Sequence, residues 1–119
     1  MKKLFALTLV TTLLAACATP VQFTDKPMKV YDKETEYYVE QNDQGLMVYV
    51  TYGSYQFIPD QSPVIDLCRA ATVQVAMEEA QHIGRAIQDI DPKTIRLSMG
   101  RNIWTGTTTC SSKLFVTFK

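Results

Sequence analysis

The sequence predicts an α+β fold, a small antiparallel sheet in β-β-α-β-β order with one helix packed on one face. Three observations lead there. Residues 36–58 are rich in Tyr, Val and other strand formers. From Val64 to Ile83, Ala, Leu, Met, Glu and Gln dominate, and the apolar positions recur at helical spacing. After Asp91-Pro92 the apolar period returns to two. Strand order is not legible at this level.

Taken in order, the first strand is Glu36-Tyr37-Tyr38-Val39-Glu40. Gln41-Asn42-Asp43-Gln44-Gly45 follows as a hairpin turn, with Gly45 expected at positive φ. The second strand runs from Leu46 to Ile58. Leu46, Val48, Val50 and Tyr52 lie on one side of it, and Met47, Tyr49, Thr51, Tyr55 and Phe57 on the other. Both sides are apolar or aromatic, so periodicity alone does not choose the core face. Gly53-Ser54 suggests a bulge or bend.

The helix is expected to start at Ser62 as cap, with Pro63 in its first turn, where a missing N–H costs nothing. Its inner stripe is Ile65, Cys68, Thr72, Val75, Ala76, Ala80 and Ile83. Gly84 suits its C-terminal end. Residues 85–91 read either as a further helical turn or as an extended connection. Ile95, Leu97 and Met99 then alternate with Thr94, Arg96 and Ser98. In the last strand Cys110, Ser112, Leu114, Val116 and Phe118 face one way. Gly100–Gly106 joins these two strands as a hairpin.

The N-terminus has a different character. Met1-Lys2-Lys3 precedes a short apolar segment, Leu4 to Leu13, which closes with Leu14-Ala15-Ala16-Cys17. A basic start, an apolar run and small residues form the layout of a secretory signal, and the run is well short of the roughly 20 residues a membrane span needs. Leu14-Ala15-Ala16-Cys17 resembles the lipobox of bacterial lipoproteins. That resemblance implies a signal peptide at 1–16, cleavage before Cys17, and acylation of the Cys17 sulfur and amino group with fatty acids such as palmitate. It implies where the chain resides and not what its domain does, since about the first 18 residues carry it. Ala18 stands where an aspartate would mark inner-membrane retention in that family. The resemblance therefore implies an outer-membrane protein, lipid-anchored on the periplasmic face. Residues 17–35, polar and with two prolines, read as the lipidated cysteine and a tether, with a short strand near Met28–Tyr31. Residues 36–119 read as one domain.

Two cysteines remain after Cys17. In an exported domain, Cys68 and Cys110 read as a disulfide, one on the helix's inner stripe and the other in the inward set of the last strand. Such a bond would staple helix to sheet.

The 119-residue chain has 12 basic and 12 acidic residues, and loss of Lys2 and Lys3 with the signal leaves 10 against 12. A basic face for nucleic acid is not to be expected. His82 is the sole histidine, with Glu78 and Glu79 one turn before it. A Glu-x-x-His pair serves di-metal bundles only alongside a second such pair, which the sequence lacks. A solvated helix face accounts for these residues better. There is no Gly-x-Ser-x-Gly elbow and no phosphate-cradling glycine loop, so neither catalysis nor a cofactor is expected.

Two candidate contact regions remain. In the hairpin Gly100–Gly106, Arg101, Asn102 and Trp104 are residue types that anchor protein contacts at loop tips. The competing expectation, and the favoured one, has Trp104 and Ile103 folding back over the core. Tyr49, Tyr55, Phe57 and Phe115 form the second candidate, an aromatic patch on the sheet side away from the helix, either bare or covered by residues 18–35. The function expected is that of a non-catalytic lipoprotein working through protein contacts in envelope assembly or maintenance. The alternative is a module binding a lipid, glycan or peptide on the aromatic face.

Overall fold

The computed structural model describes residues 22–119. The lipobox, Cys17 included, lies outside the described residues. The sheet has five antiparallel strands: β1 (Lys29–Val30), β2 (Thr35–Gln41), β3 (Gly45–Tyr55), β4 (Arg96–Asn102) and β5 (Thr107–Thr117). One helix, α1 (Gln61–His82), follows β3, and a single 3-10 turn at Pro92–Thr94 precedes β4. The spatial order is β1-β2-β3-β5-β4. The chain thus leaves β3, crosses by α1 to β4 at the sheet edge, and returns by a hairpin to place β5 between them. The fold class read from the sequence is the one observed.

The faces follow from the register. Val48 pairs with Leu114 and Val50 with Ser112, which puts the even-numbered residues of β3 and β5 on one side. That side meets α1: Leu46, Val48, Val50, Leu114, Val116 and Phe118 pack with Val75, Ala76 and Ala80 in the main core. Small side chains at 76 and 80 let the helix lie close to the sheet. A second buried cluster joins Tyr52 and Val64 to Cys68 and Cys110, which are bonded to each other. The bond ties the middle of α1 to β5 across 42 residues of sequence. Beside it, Thr72 Oγ1 donates to the Cys68 carbonyl at 2.7 Å and lies 2.6 Å from Ser112 Oγ, so this buried polar pair is satisfied internally.

Several local details differ from expectation. Gly45 is the first residue of β3 rather than a positive-φ turn residue; positive φ occurs at Gly84 and Gly106. A side chain at 45 would run into the Val116 carbonyl, so this glycine serves close strand approach. The turn before it is fixed by Asn42, whose Oδ1 accepts from the N–H groups of Gln44 and Gly45 at 2.8 and 2.9 Å. No bulge interrupts Gly53-Ser54: the β3–β5 register runs unbroken from Gly45↔Thr117 to Tyr55↔Thr107. The helix cap is Asp60, not Ser62, with Asp60 Oδ1 accepting from the Ser62 N–H at 3.1 Å. Val64, rather than Ile65, is the buried residue of the first turn.

At the other end Gly84 stops the helix as expected, and residues 85–91 form no further turn of it. Ile87 bridges to Phe118, extending the sheet locally beyond the start of β4. The segment read as a tether also does more than connect, since β1 pairs Lys29 with Tyr37 and Val30 with Glu36. Tyr31 reaches α1, where its hydroxyl donates to Glu78 at 3.0 Å.

Candidate functional site

The described chain has two unlike ends. One is the end at which β3 starts. There the Gln41–Gly45 turn carries Asn42, Asp43 and Gln44, and Arg85 stacks 4.0 Å from the centroid of Phe118. That end is polar. At the opposite end β3 runs into the loop 56–60, and the β4–β5 hairpin turns at 103–106 beside it. Tyr55 is 69% exposed, Phe57 86%, Ile58 77%, Ile103 65% and Trp104 83%. Five large apolar side chains therefore project from the end of β3 and the two neighbouring loops.

This tip is built rigidly from beneath. Arg101 is the organiser. Its guanidinium donates to the Gln56 carbonyl at 2.9 Å, to Thr108 Oγ1 at 3.0 Å and to the Gly106 carbonyl at 3.4 Å. Thr108, which is buried, donates in turn to Gln56 Oε1 at 2.7 Å. The Gln56 amide completes the set, donating to the Asp60 carbonyl at 2.7 Å while its oxygen accepts from the Asp60 N–H at 3.1 Å. Asn102 Oδ1 accepts from the N–H groups of Trp104 and Thr105, which fixes the hairpin turn. Gly106 sits at φ +70° against the Tyr55 ring, where a β-carbon would fall within 2.8 Å of it. The polar atoms of the loops thus point inward to each other, and the apolar side chains are left outside.

The sequence-derived candidates sort accordingly. Trp104 and Ile103 do not fold back over the core, which corrects the favoured expectation. The β4–β5 turn is too tight to swing them inward, and Leu97, Met99 and Val64 already fill that region. Arg101 and Asn102 hold the loops instead of offering free contact groups. Tyr49, Tyr55, Phe57 and Phe115 do not make one aromatic patch. Tyr49 is 8% exposed, lies against Tyr38 at 6.2 Å between ring centroids and has the Lys113 ammonium 6.0 Å from its own. Phe115, 39% exposed, is paired with Met47, eight β3 positions from Tyr55, or roughly 27 Å along the strand. Tyr55 and Phe57 belong with Trp104. Sequence pattern alone does not add Ile58 and Ile103 to this group; only the observation that two loops share one end of the sheet brings them in.

The outer sheet face is partly dressed by the N-terminal segment. Thr51 Oγ1 donates to Gln22 at 3.5 Å. Ser111, on the same face, is buried and its hydroxyl has no hydrogen-bond partner among the described residues.

A second concavity runs along the exposed flank of α1. This groove of about 1260 Å³ lies between the helix and residues 85–92, with Val73, Met77 and Ile87 as its apolar lining and Arg69 and Arg85 as its cations. Arg69 Nε is buried and lacks a hydrogen-bond partner among the described residues. His82 is exposed at the end of the helix. Glu78 is occupied, accepting from both Tyr31 and Gln74. Among the described residues no three His, Cys, Asp or Glu side chains gather to hold a metal ion, and no helix is long and apolar enough to cross a membrane.

Local contacts displace the titration of four groups. Burial, helped by the hydrogen bond to Glu34, raises the Tyr52 phenol above its usual value. Burial and then the Glu78 contact raise Tyr31, whereas burial followed by the charge of Glu40 raises Tyr49. The Glu34 N–H holds the exposed Asp32 carboxyl below the usual carboxylate range.

Comparison with family models, with curated proteins and with solved structures gives no match.

Proposed function

We propose that this chain is an exported lipoprotein, anchored through Cys17 on the periplasmic face of the outer membrane, which acts by contact with other envelope proteins and performs no catalysis. The observation that carries the reading is the join of two features: a lipobox at 14–17, and a domain in which Cys68 and Cys110 are bonded. Disulfides persist in oxidising compartments, and the lipobox would send the chain to one. The side chains that could serve acid–base chemistry support the contact role. Glu78 is engaged by Tyr31 and Gln74, and His82 is exposed at the helix end.

The groove along α1 is the surface suited to a protein partner. It combines an apolar floor, two arginines and a length of about four turns of helix, from Asp66 to Gln81. A photo-crosslinking residue in place of Met77, in intact cells, should give one discrete adduct with an envelope protein. Arg85→Glu should remove that adduct. Absence of any adduct from Met77 and from Ala70, which also lines the groove, contradicts the contact role. A ligand on the aromatic sheet face is less well supported, because Tyr49 is already covered and Phe115 is remote from Tyr55 and Phe57.

A further inference from the structure

From the placement of the exposed apolar residues we infer that the tip formed by Tyr55, Phe57, Ile58, Ile103 and Trp104 inserts into the bilayer leaflet that holds the Cys17 lipid, so that the domain stands with its strands upright on the membrane. This rests on the anchored reading above and adds a second membrane contact to it.

Three observations lead to a lipid surface as the occupant. The first is composition. The projecting side chains are two isoleucines and three aromatics, with Trp104 and Tyr55 of the kind that settles at the boundary between headgroups and acyl chains. The Arg101 guanidinium is engaged by three oxygens behind the tip, whereas Asp60 and the exposed turn Asp32-Lys33-Glu34, whose Glu34 carbonyl accepts from the Gly53 N–H at 3.0 Å, flank it. Insertion is therefore shallow, taking in the five apolar side chains and leaving these flanking charges at headgroup level.

The second is the contrast of the two ends. The Asn42-Asp43-Gln44 turn and Arg85 lie at the far end of strands that are 11 residues long, roughly 37 Å. A domain whose largest exposed apolar side chains gather at one end has a preferred orientation at a water–lipid boundary.

The third is the reach of the tether. Gln22 is hydrogen-bonded to Thr51. Four residues separate Cys17 from Gln22, and the five steps between them span at most about 18 Å. Thr51 lies four positions from Tyr55, about 14 Å, and six from Gly45, about 20 Å. A chain so pinned can bring the tip down to the plane of its own anchor.

Sole possession of one tryptophan makes the inference measurable. The mature, acylated chain is reconstituted in vesicles of phosphatidylethanolamine and phosphatidylglycerol, with and without bromine on the acyl chains. Trp104 emission should move to shorter wavelength in the vesicles and be quenched by brominated lipid. In Phe57→Asp/Ile58→Asp the acylated protein should still float with the vesicles, with Trp104 unquenched and emitting as in water. Unacylated Cys17→Ser chain should partition weakly into the same vesicles, and the double substitution should lower that partitioning at least about 100-fold. Retention of the thermal transition shows that the variants fold. Acylated protein that floats while Trp104 is never quenched overturns the inference and leaves the anchor intact. Trp104 shielded only when a partner protein is added overturns it too, in favour of protein docking at the tip. Absence of acyl groups on Cys17 counts against the anchored reading instead, and the Cys17→Ser partitioning still decides the tip.

Discussion

The Arg101 guanidinium donates to the main-chain oxygen of Gln56, 45 residues earlier in the chain, at 2.9 Å. Together with the Gln56 N–H, which donates to the Gly106 carbonyl at 2.8 Å, and with Thr108, this bond holds the loop after β3 against the β4–β5 hairpin. A charged donor satisfying main-chain oxygens is worth about 1.5–3 kcal/mol per bond when well buried, and Arg101 is half-buried. Arg101→Ala should therefore cost about 1–2 kcal/mol in chemical denaturation. It should also speed hydrogen exchange at Gln56 and Gly106 while leaving the β2–β3 amides protected. Unchanged exchange at those two amides would show that the tip is not held by Arg101.

Stapling by Cys68–Cys110 should be the largest single contribution open to removal. The bond closes a loop of 42 residues, which the chain-entropy account values at about 4 kcal/mol. Replacement of both cysteines by Ala should lower stability by about 2–4 kcal/mol, read from urea midpoints. A loss under about 0.5 kcal/mol would mean that the core alone fixes α1 on the sheet.

Two glycines should respond differently for different reasons. Gly84→Ala meets only the left-handed backbone penalty, about 1–2 kcal/mol, because nothing lies within 4 Å of the added carbon. Gly45→Ala drives a carbon into the Val116 carbonyl and must part β3 from β5. It should cost more than Gly84→Ala, and equal costs would contradict the assigned close approach.

Alkaline conditions should weaken the fold through Tyr52 and Tyr31. Both phenols are raised in the folded state, Tyr52 first by burial and then by Glu34. Below about pH 10 they are neutral whether the chain is folded or not. Above it the unfolded chain releases protons that the folded chain keeps, so stability falls as pH rises. Tyr52→Phe should flatten that fall in unfolding midpoints measured from about pH 9 to 11. An unaltered slope contradicts the assignment.

Much of the fold can be read from the chain because its signals are periodic. The last strand illustrates the point: Cys110, Ser112, Leu114, Val116 and Phe118 alternate strictly, and all are buried. The disulfide follows from that alternation and the helical stripe together. Where periodicity ends, legibility ends too. Asp60 and Ser62 are both good caps two residues apart, and only the backbone at 60 decides between them. A glycine after Asn-Asp-Gln looks like a turn residue, whereas Gly45 is needed for strand contact with Val116. A loop tryptophan carries no pattern to say which way it points. Trp104 points outward because Asn102 and Gly106 tighten its turn, and the grouping with Phe57 and Ile58 depends on β5 lying between β3 and β4. No local signal encodes that strand order.

Membrane attachment through the thiol at position 17 underlies both the contact role and the upright placement. Intact mass and terminal peptide mapping of the protein taken from its native membrane test it most directly. A mature chain beginning at Cys17, carrying a thioether-linked diacylglycerol and an amide-linked fatty acid, with the other two cysteines oxidised, is the result the account predicts. A chain that retains Met1, or begins after Cys17 without lipid, contradicts it.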